Sequence, residues 1–271
     1  MLGKIRVLLW ATYGIWLAAF VVLPILLVLY QSLHDVHGKW TFENFLRFFS
    51  PVYLRMAGDS LWYAFWITLL SLVVAYPAAL ALVRLASRDF WLVALILPSW
   101  VNLLLKAYAF LGIFSEHGPI NALFSTVGVG PVPLLFTDLG FVLVSVYIFI
   151  PFMILPIYNA IRAIPAELVD AARDLGASPV QVVRRVIWPL SLPGVRAGVQ
   201  ATFIPALSLF MITRLIAGNR VITLGTAIEQ HFLVTGDWGM GSAIAVVLLL
   251  LMSVSVIFAR RSFFAAPVGS E

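Results

Sequence analysis

The chain has 271 residues, 62% of them hydrophobic and 11% charged, with a formal net charge of +5. A soluble domain carries roughly 25% charged residues, so a mean hydropathy of +1.04 excludes a water-facing globule and indicates an integral membrane protein. Cysteine is absent, which excludes disulfides, thiolate metal sites and cysteine nucleophiles.

A helix that crosses the bilayer needs about 20 mostly apolar residues. In chain order, six segments meet that condition: 7–33, 60–83, 90–114, 139–161, 197–216 and 241–259. The opening "MLGKIRVLLW" has a basic start but no small-x-small cleavage pattern after a short apolar core, so it reads as a retained first span. After it, Trp40, Phe42, Phe45, Phe48 and Tyr53 predict a short interfacial helix at headgroup level. The third connection, with no Lys or Arg, predicts a folded loop with a short helix over 120–125. The connection before the last span predicts turn, short helix, turn. An even number of spans places both termini on one side. Lys4, Arg6, Arg84, Arg88, Arg162, Arg173, Arg184, Arg185, Arg196, Arg260 and Arg261 fall on that side, against Lys39, Arg47, Arg55 and Arg220 on the other. Basic residues concentrate in cytoplasmic loops, so the termini and loop 162–196 are expected in the cytoplasm.

That loop is long and charged, in a chain that is otherwise mostly apolar. Pro165 suits a first helical turn, Glu167 and Asp170 suit the positive N-terminal end of a helix, and Gly176 suits a left-handed stop. Ser178 can cap a second helix with Pro179 at its first position, and Pro189 and Pro193 are expected to interrupt that helix. Two roles fit a helical hairpin here. It can lie among anionic headgroups as a connector, or its small residues can let another protein's backbone approach in a groove.

The run "DAARDLGASPVQVVRRVIWP" resembles the EAA loop of permease subunits of ABC importers: Glu-Ala-Ala, three residues, Gly, nine residues, Ile-x-Leu-Pro. Asp170, Ala171, Ala172, Gly176 and Pro189 match in spacing, while Asp170, Val186 and Trp188 depart mildly in type. "PSWVNLLLKAYAFLGIF", "LIAGNRVITLGTAIEQHFL" and "DWGMGSA" are similar to the first permease of spermidine/putrescine ABC importers, so the likeness covers nearly the whole chain. The resemblance implies an all-α, six-span permease domain of the type I importer class occupying 1–271, in the cytoplasmic (inner) membrane. It implies a coupling helix in which Asp170, Ala171, Ala172, Gly176, Ala177 and Ser178 meet an ATPase subunit. It further implies a second permease, two ATPase subunits and an extracytoplasmic substrate-binding protein as partners, with polyamine import by alternating access. Permeases for amino acids, iron and other cations share much of the pattern, so those solutes stand as alternatives.

The chain has no Gly-x-x-x-x-Gly-Lys-Ser/Thr to cradle phosphates, no His-Glu-x-x-His and no Gly-x-Ser-x-Gly. No enzymatic activity, bound cofactor, metal or nucleic acid is expected of it; ATP and Mg belong to the partner ATPase. His34 and His37 read as solvated loop residues. An ion-gradient transporter would need polar groups deep in several spans, and spans two, four and six have no carboxylate at their middles.

A path for a polyamine should offer carboxylates and aromatic faces. Trp100, Tyr108, Phe210, Glu116, Asp138, Glu229, Asp237 and Trp238 are the candidates in the outer half. Arg214, near the end of span five, suits a gate or a pair with Glu229 or Asp237. Lys106 is expected to reach the headgroups by snorkelling. Pro24, Pro77, Pro98, Pro151, Pro156 and Pro205 are expected to kink their spans, and Gly194 and Gly198 predict close helix packing.

Overall fold

The computed structural model describes residues 2–218 and 220–261, with side chains over 6, 9–218 and 220–257. The side chains of Lys4, Arg260 and Arg261, counted above for orientation, lie outside the described residues. The first span is a rod of α1 (Leu2–Leu17), a π-helical turn (Ala18–Val22) and α2 (Leu23–Ser32). Next come the short interfacial α3 (Glu43–Phe48) and the long α4 (Pro51–Arg84). A broken pair follows, α5 (Arg88–Ile96) and α6 (Leu103–Ile113), with a 3-10 turn (Leu97–Trp100) between them. The short α7 (Pro119–Thr126) lies where the sequence predicts it, and α8 (Asp138–Arg162) is the next span. The charged loop forms α9 (Ala166–Asp174) and α10 (Pro179–Val182), which passes through a π-helical turn (Val183–Ile187) into α11 (Trp188–Leu207). The chain closes with α12 (Met211–Ile216), α13 (Leu224–Gln230), a third π-helical turn (His231–Thr235) and α14 (Trp238–Arg261).

Six continuous spans do not result. Among the described residues four helices are long and apolar enough to cross a membrane, Leu9–Ser32, Pro51–Arg84, Asp138–Arg162 and Trp238–Ile257. A fifth is made if the α5–α6 pair, bent by 95°, counts as one. The bend falls at Pro98. Its ring blocks the helix, Val101 is extended, and the Asn102 side chain accepts the Leu104 N–H at 2.8 Å to start α6 afresh. The segment predicted as span five divides between α11 and α12. The unwound Ser208–Phe210 between them lines a cavity and buries Leu209, a setting in which irregular backbone in a membrane protein is tolerated. There the Thr223 hydroxyl donates to the Leu209 carbonyl at 2.7 Å.

Pro189 and Pro193 do not interrupt the second loop helix; both lie within the helical run from Pro179 to Leu207. A proline ring clashes with the carbonyl four residues back. Before Pro189 the helix widens by one residue, and the Trp188 N–H reaches the Val183 carbonyl five residues back. The same device precedes Pro24, where Leu23 donates to Ala18. Each π turn takes up the misfit that would otherwise end the helix.

α8 is the axis of the bundle, packed along α4 and α11. Two apolar clusters fill it. One holds Ile67, Phe141, Phe149, Leu207 and Ile212 toward the α7 and α13 end, and the other holds Tyr76, Met153, Ile157, Tyr158 and Ile187 toward the α9 end. Lipid is as apolar as leucine, so close packing rather than hydrophobicity holds such helices together. Gly194 and Gly198 supply it: a Cβ at Gly194 would lie 2.5 Å from the Pro156 carbonyl oxygen, and one at Gly198 would lie 2.8 Å from Met153 Sδ. α14 packs on α2, α11 and α13, while the central stretch of the first span has no residue buried in this chain.

Candidate functional site

The loop helix α9 is built by its own sequence. It is stopped by Gly176, whose φ of +82° is cheap only for glycine. The Ala177 N–H returns to the Ala172 carbonyl at 3.0 Å and the Gly176 N–H to Arg173 at 2.8 Å, which closes the helix end. Ser178 then opens α10 with a reciprocal cap: the Ser178 N–H donates to Gln181 Oε1 at 2.8 Å, and Ser178 Oγ accepts the Gln181 N–H. α9 is two-faced. Val169, Ala172 and Ala177 pack on the Tyr158–Ile161 cluster, whereas Leu168 is 47% and Leu175 89% exposed. Ala171 is exposed beside them. A side chain at Gly176 would meet nothing in this chain within 4 Å. Asp170 pairs with Arg173 one turn on, at 3.0 Å, so its carboxylate serves α9 itself. The result is a rigid helix with an unoccupied apolar face and a glycine corner open to an approaching surface.

The predicted path residues do not gather at one place. Phe210 and Lys106 line one cavity of about 370 Å³ at the breaks in spans three and five, with Ser99, Phe152, Pro205 and Ser208. Trp100 stands on the same break and is 81% exposed. Tyr108, two residues past Lys106 on α6, is also exposed and does not line that cavity. Lys106 does not snorkel; it is 8% exposed, because the 95° bend turns α6 back against α12, with Phe110 on Tyr147 of α8, instead of out to the headgroups.

Arg214 pairs with Glu229 at 3.0 Å across the α12–α13 connection. Asp237 and Trp238 stand apart from both groups. Asp237 accepts the Met240 N–H at 3.0 Å, capping α14, and lies 3.6 Å from Arg47. Trp238 makes an edge contact with Phe232 at 5.7 Å. Gly239 is needed because the His34 carbonyl lies against it, closer than a Cβ would allow. The carboxylate proposed for cations is therefore engaged in holding the last span to the first loop, and the ring packs on the connection that leads into that span. Beside them, Tyr53 Oη lies 2.9 Å from His231 Nε2. Burial holds the imidazole below its ordinary range, with Asp237 opposing and Arg47 reinforcing. Glu116 lines a separate cavity of about 430 Å³ with Asn121 and Pro131–Leu135. His34, expected in solvent, is 5% exposed. Its Nδ1 lies 2.7 Å from the Tyr30 carbonyl, and its own carbonyl accepts from Asn44 at 2.8 Å. No cluster of three metal-ligating side chains occurs among the described residues.

Sequence reasoning missed two features. One is the burial of Lys106, whose only signal was a charge beside Pro98 and Asn102. The other is a ring of arginines under α9, invisible because Arg84, Arg88, Arg162 and Arg173 come from three separate stretches.

Comparison with known proteins agrees with this architecture. Spermidine/putrescine transport system permease protein PotB of Haemophilus influenzae is 33% identical over 91% of this chain and 90% of its own length. PotB of Escherichia coli K12 is 34% identical over 91% of this chain and 94% of its own length. A chain from the crystal structure of a bacterial alginate ABC transporter, in complex with an alginate pentasaccharide-bound periplasmic protein, superposes with a TM-score of 0.80. It shares 19% identity, and the match covers 94% of this chain and 93% of that one. Its fold is thus the same at low identity. Residues 5–263 match the family described as binding-protein-dependent transport system inner membrane component, and the chain belongs to that family.

Proposed function

We propose that this chain is one of two permeases of an ATP-driven importer of spermidine and putrescine. It pairs with a second permease, two ATPase subunits and an extracytoplasmic binding protein, and its termini and α9 face the cytoplasm. The observation that carries the energy coupling is α9: a short helix anchored by one face, with Leu168, Ala171 and Leu175 left outward and a glycine at its end. A helix laid in a partner's groove is a general recognition mode. On this reading Ala171, Gly176 and Ser178 form the outward ATPase-docking corner, while Asp170 is held by Arg173 and Ala172 and Ala177, assigned to the same corner by the sequence, anchor α9 to the bundle. ATP and Mg are used by the partner; this chain transmits motion through α9 to α8, on which it packs, and through the Val183–Ile187 turn to α11. The polyamine assignment is supported by the relatives' stated substrate at one-third identity over nine-tenths of the chain. A second reading, import of another small solute by the same machinery, is favoured by Lys106, whose ammonium would repel a cation at the cavity it shares with Phe210.

The test is labelled spermidine uptake by cells carrying the complete system, with Gly176→Ala and Gly176→Asp alongside. Both variants bear similar backbone strain, because aspartate tolerates the left-handed region at least as well as alanine. Loss of uptake with Asp at normal protein level, and retention with Ala, places the defect in the partner's space. Wild-type complexes that take up no spermidine would remove the polyamine reading and leave the importer reading in place.

A further inference from the structure

Under α9 lies a cavity of about 650 Å³. Its rim carries Arg84, the last residue of α4; Arg88, the first of α5; Arg162, the last of α8; and Arg173, in the last turn of α9. Asp170 is its one acidic lining residue, and Asp170 is already held by Arg173 at 3.0 Å. Among the described residues, Arg84, Arg88 and Arg162 have no carboxylate within ion-pair distance. The floor is apolar, with Val182 and Ile187.

Three uncompensated guanidiniums facing one cavity repel one another, and an anion relieves that repulsion. Three of the four arginines stand at ends of helices of the membrane-crossing bundle, the level at which hydrocarbon gives way to headgroups. Guanidinium groups match phosphate oxygens in paired hydrogen bonds. A free phosphate would leave the apolar floor unfilled, and an acidic protein segment would have to reach the bilayer boundary on the membrane side of α9. A phosphodiester with glycerol and acyl stems satisfies both halves.

We propose that this cavity binds the headgroup of an anionic phospholipid of the phosphatidylglycerol class, with Arg84, Arg88 and Arg162 on the phosphate. The bound lipid would join the ends of α4, α5 and α8 to α9 through Arg173. A role in steadying energy transfer rests on the coupling function of α9; the binding itself does not.

The experiment is native mass spectrometry of the complete transporter titrated with phosphatidylglycerol or phosphatidylcholine of the same acyl chains. It is made on wild type, on Arg88→Gln/Arg162→Gln, and on Arg55→Gln/Arg220→Gln as a control of equal charge loss elsewhere. The expected result is preferential retention of phosphatidylglycerol, weakened roughly thirtyfold in the first pair (about 1 kcal/mol per guanidinium) and unchanged in the control. Arg88→Lys/Arg162→Lys should recover most of the retention. Equal retention of the two lipids, or retention unaltered by the first pair, overturns the proposal. Displacement of phosphatidylglycerol by millimolar inorganic phosphate would make it a phosphate site instead. Dissociation of the ATPase subunits from the variant with lipid retention intact would make it a protein-docking site. Lipid retention reads the cavity even in a complex that takes up no spermidine, so failure of the substrate reading and failure of this one are separable.

Discussion

Gly194 on α11 is the tightest test of how the bundle is held. In Gly194→Ala the new Cβ would stand 2.5 Å from the Pro156 carbonyl oxygen and closer still to Ala160 Cβ. Ordinary contact begins at 3.4 Å, so α8 must retreat by at least 0.9 Å (3.4 less the 2.5 Å to the Pro156 oxygen), and by more at Ala160 Cβ. Neither neighbour can turn aside, because one is main chain and the other has no rotamers. Overpacking of this kind costs about 1–3 kcal/mol. Alanine's better helix propensity returns at most about 1 kcal/mol, so the clash prevails. At Gly58 on α4 and Gly112 on α6 an added methyl group would meet nothing within 4 Å; their alanine variants should be neutral or slightly more stable. The measurement is the thermal midpoint of the detergent-purified complete transporter, read by tryptophan fluorescence. A lowered midpoint for Gly194→Ala, with Gly58→Ala and Gly112→Ala at or above wild type, is expected. Equal midpoints for all three would refute close approach of α8 and α11 as the framework of the fold.

Tyr158 Oη is buried without a hydrogen-bond partner among the described residues, so Tyr158→Phe should match or exceed wild-type stability, since an unsatisfied buried group costs about 1–3 kcal/mol. A marked drop in the midpoint would mean the hydroxyl has a partner in the assembled transporter. The Arg214–Glu229 pair has a 62% exposed arginine, and its coupling in a double-mutant cycle should be no more than about 1 kcal/mol; a value several times larger would give it a gating or buried role. His231 has a folded pKa below its unfolded value. Its contribution is therefore complete above about pH 6.5 and is lost as pH falls through the lowered folded pKa. Proteolysis of the 220–237 connection should accelerate on acidification, and His231→Gln should flatten that dependence; an equal acceleration in the variant would exclude His231 as its source.

The sequence by itself determined whatever depends on near neighbours along the chain. Apolar runs of sufficient length set the membrane class, Gly176 set the left-handed stop, and Ser178–Pro179 set the cap that opens α10, because each of these interactions spans only a few residues. The Gly194/Gly198 spacing marked the close face of α11, though not its partner. The tertiary structure alone decided what depends on a distant partner. Asp237 looked free for a cation until Arg47 and the α14 N-terminus claimed it. Lys106 looked able to reach the headgroups until the break at Pro98 turned α6 inward. Pro189 looked like a helix stop, and a one-residue widening of the backbone carried the helix past it. The arginines beneath α9 come together because α4 ends, α5 begins and α8 ends at one cavity. Sequence spacing encodes local geometry directly, whereas which charges meet across a bundle is fixed only when the helices have packed.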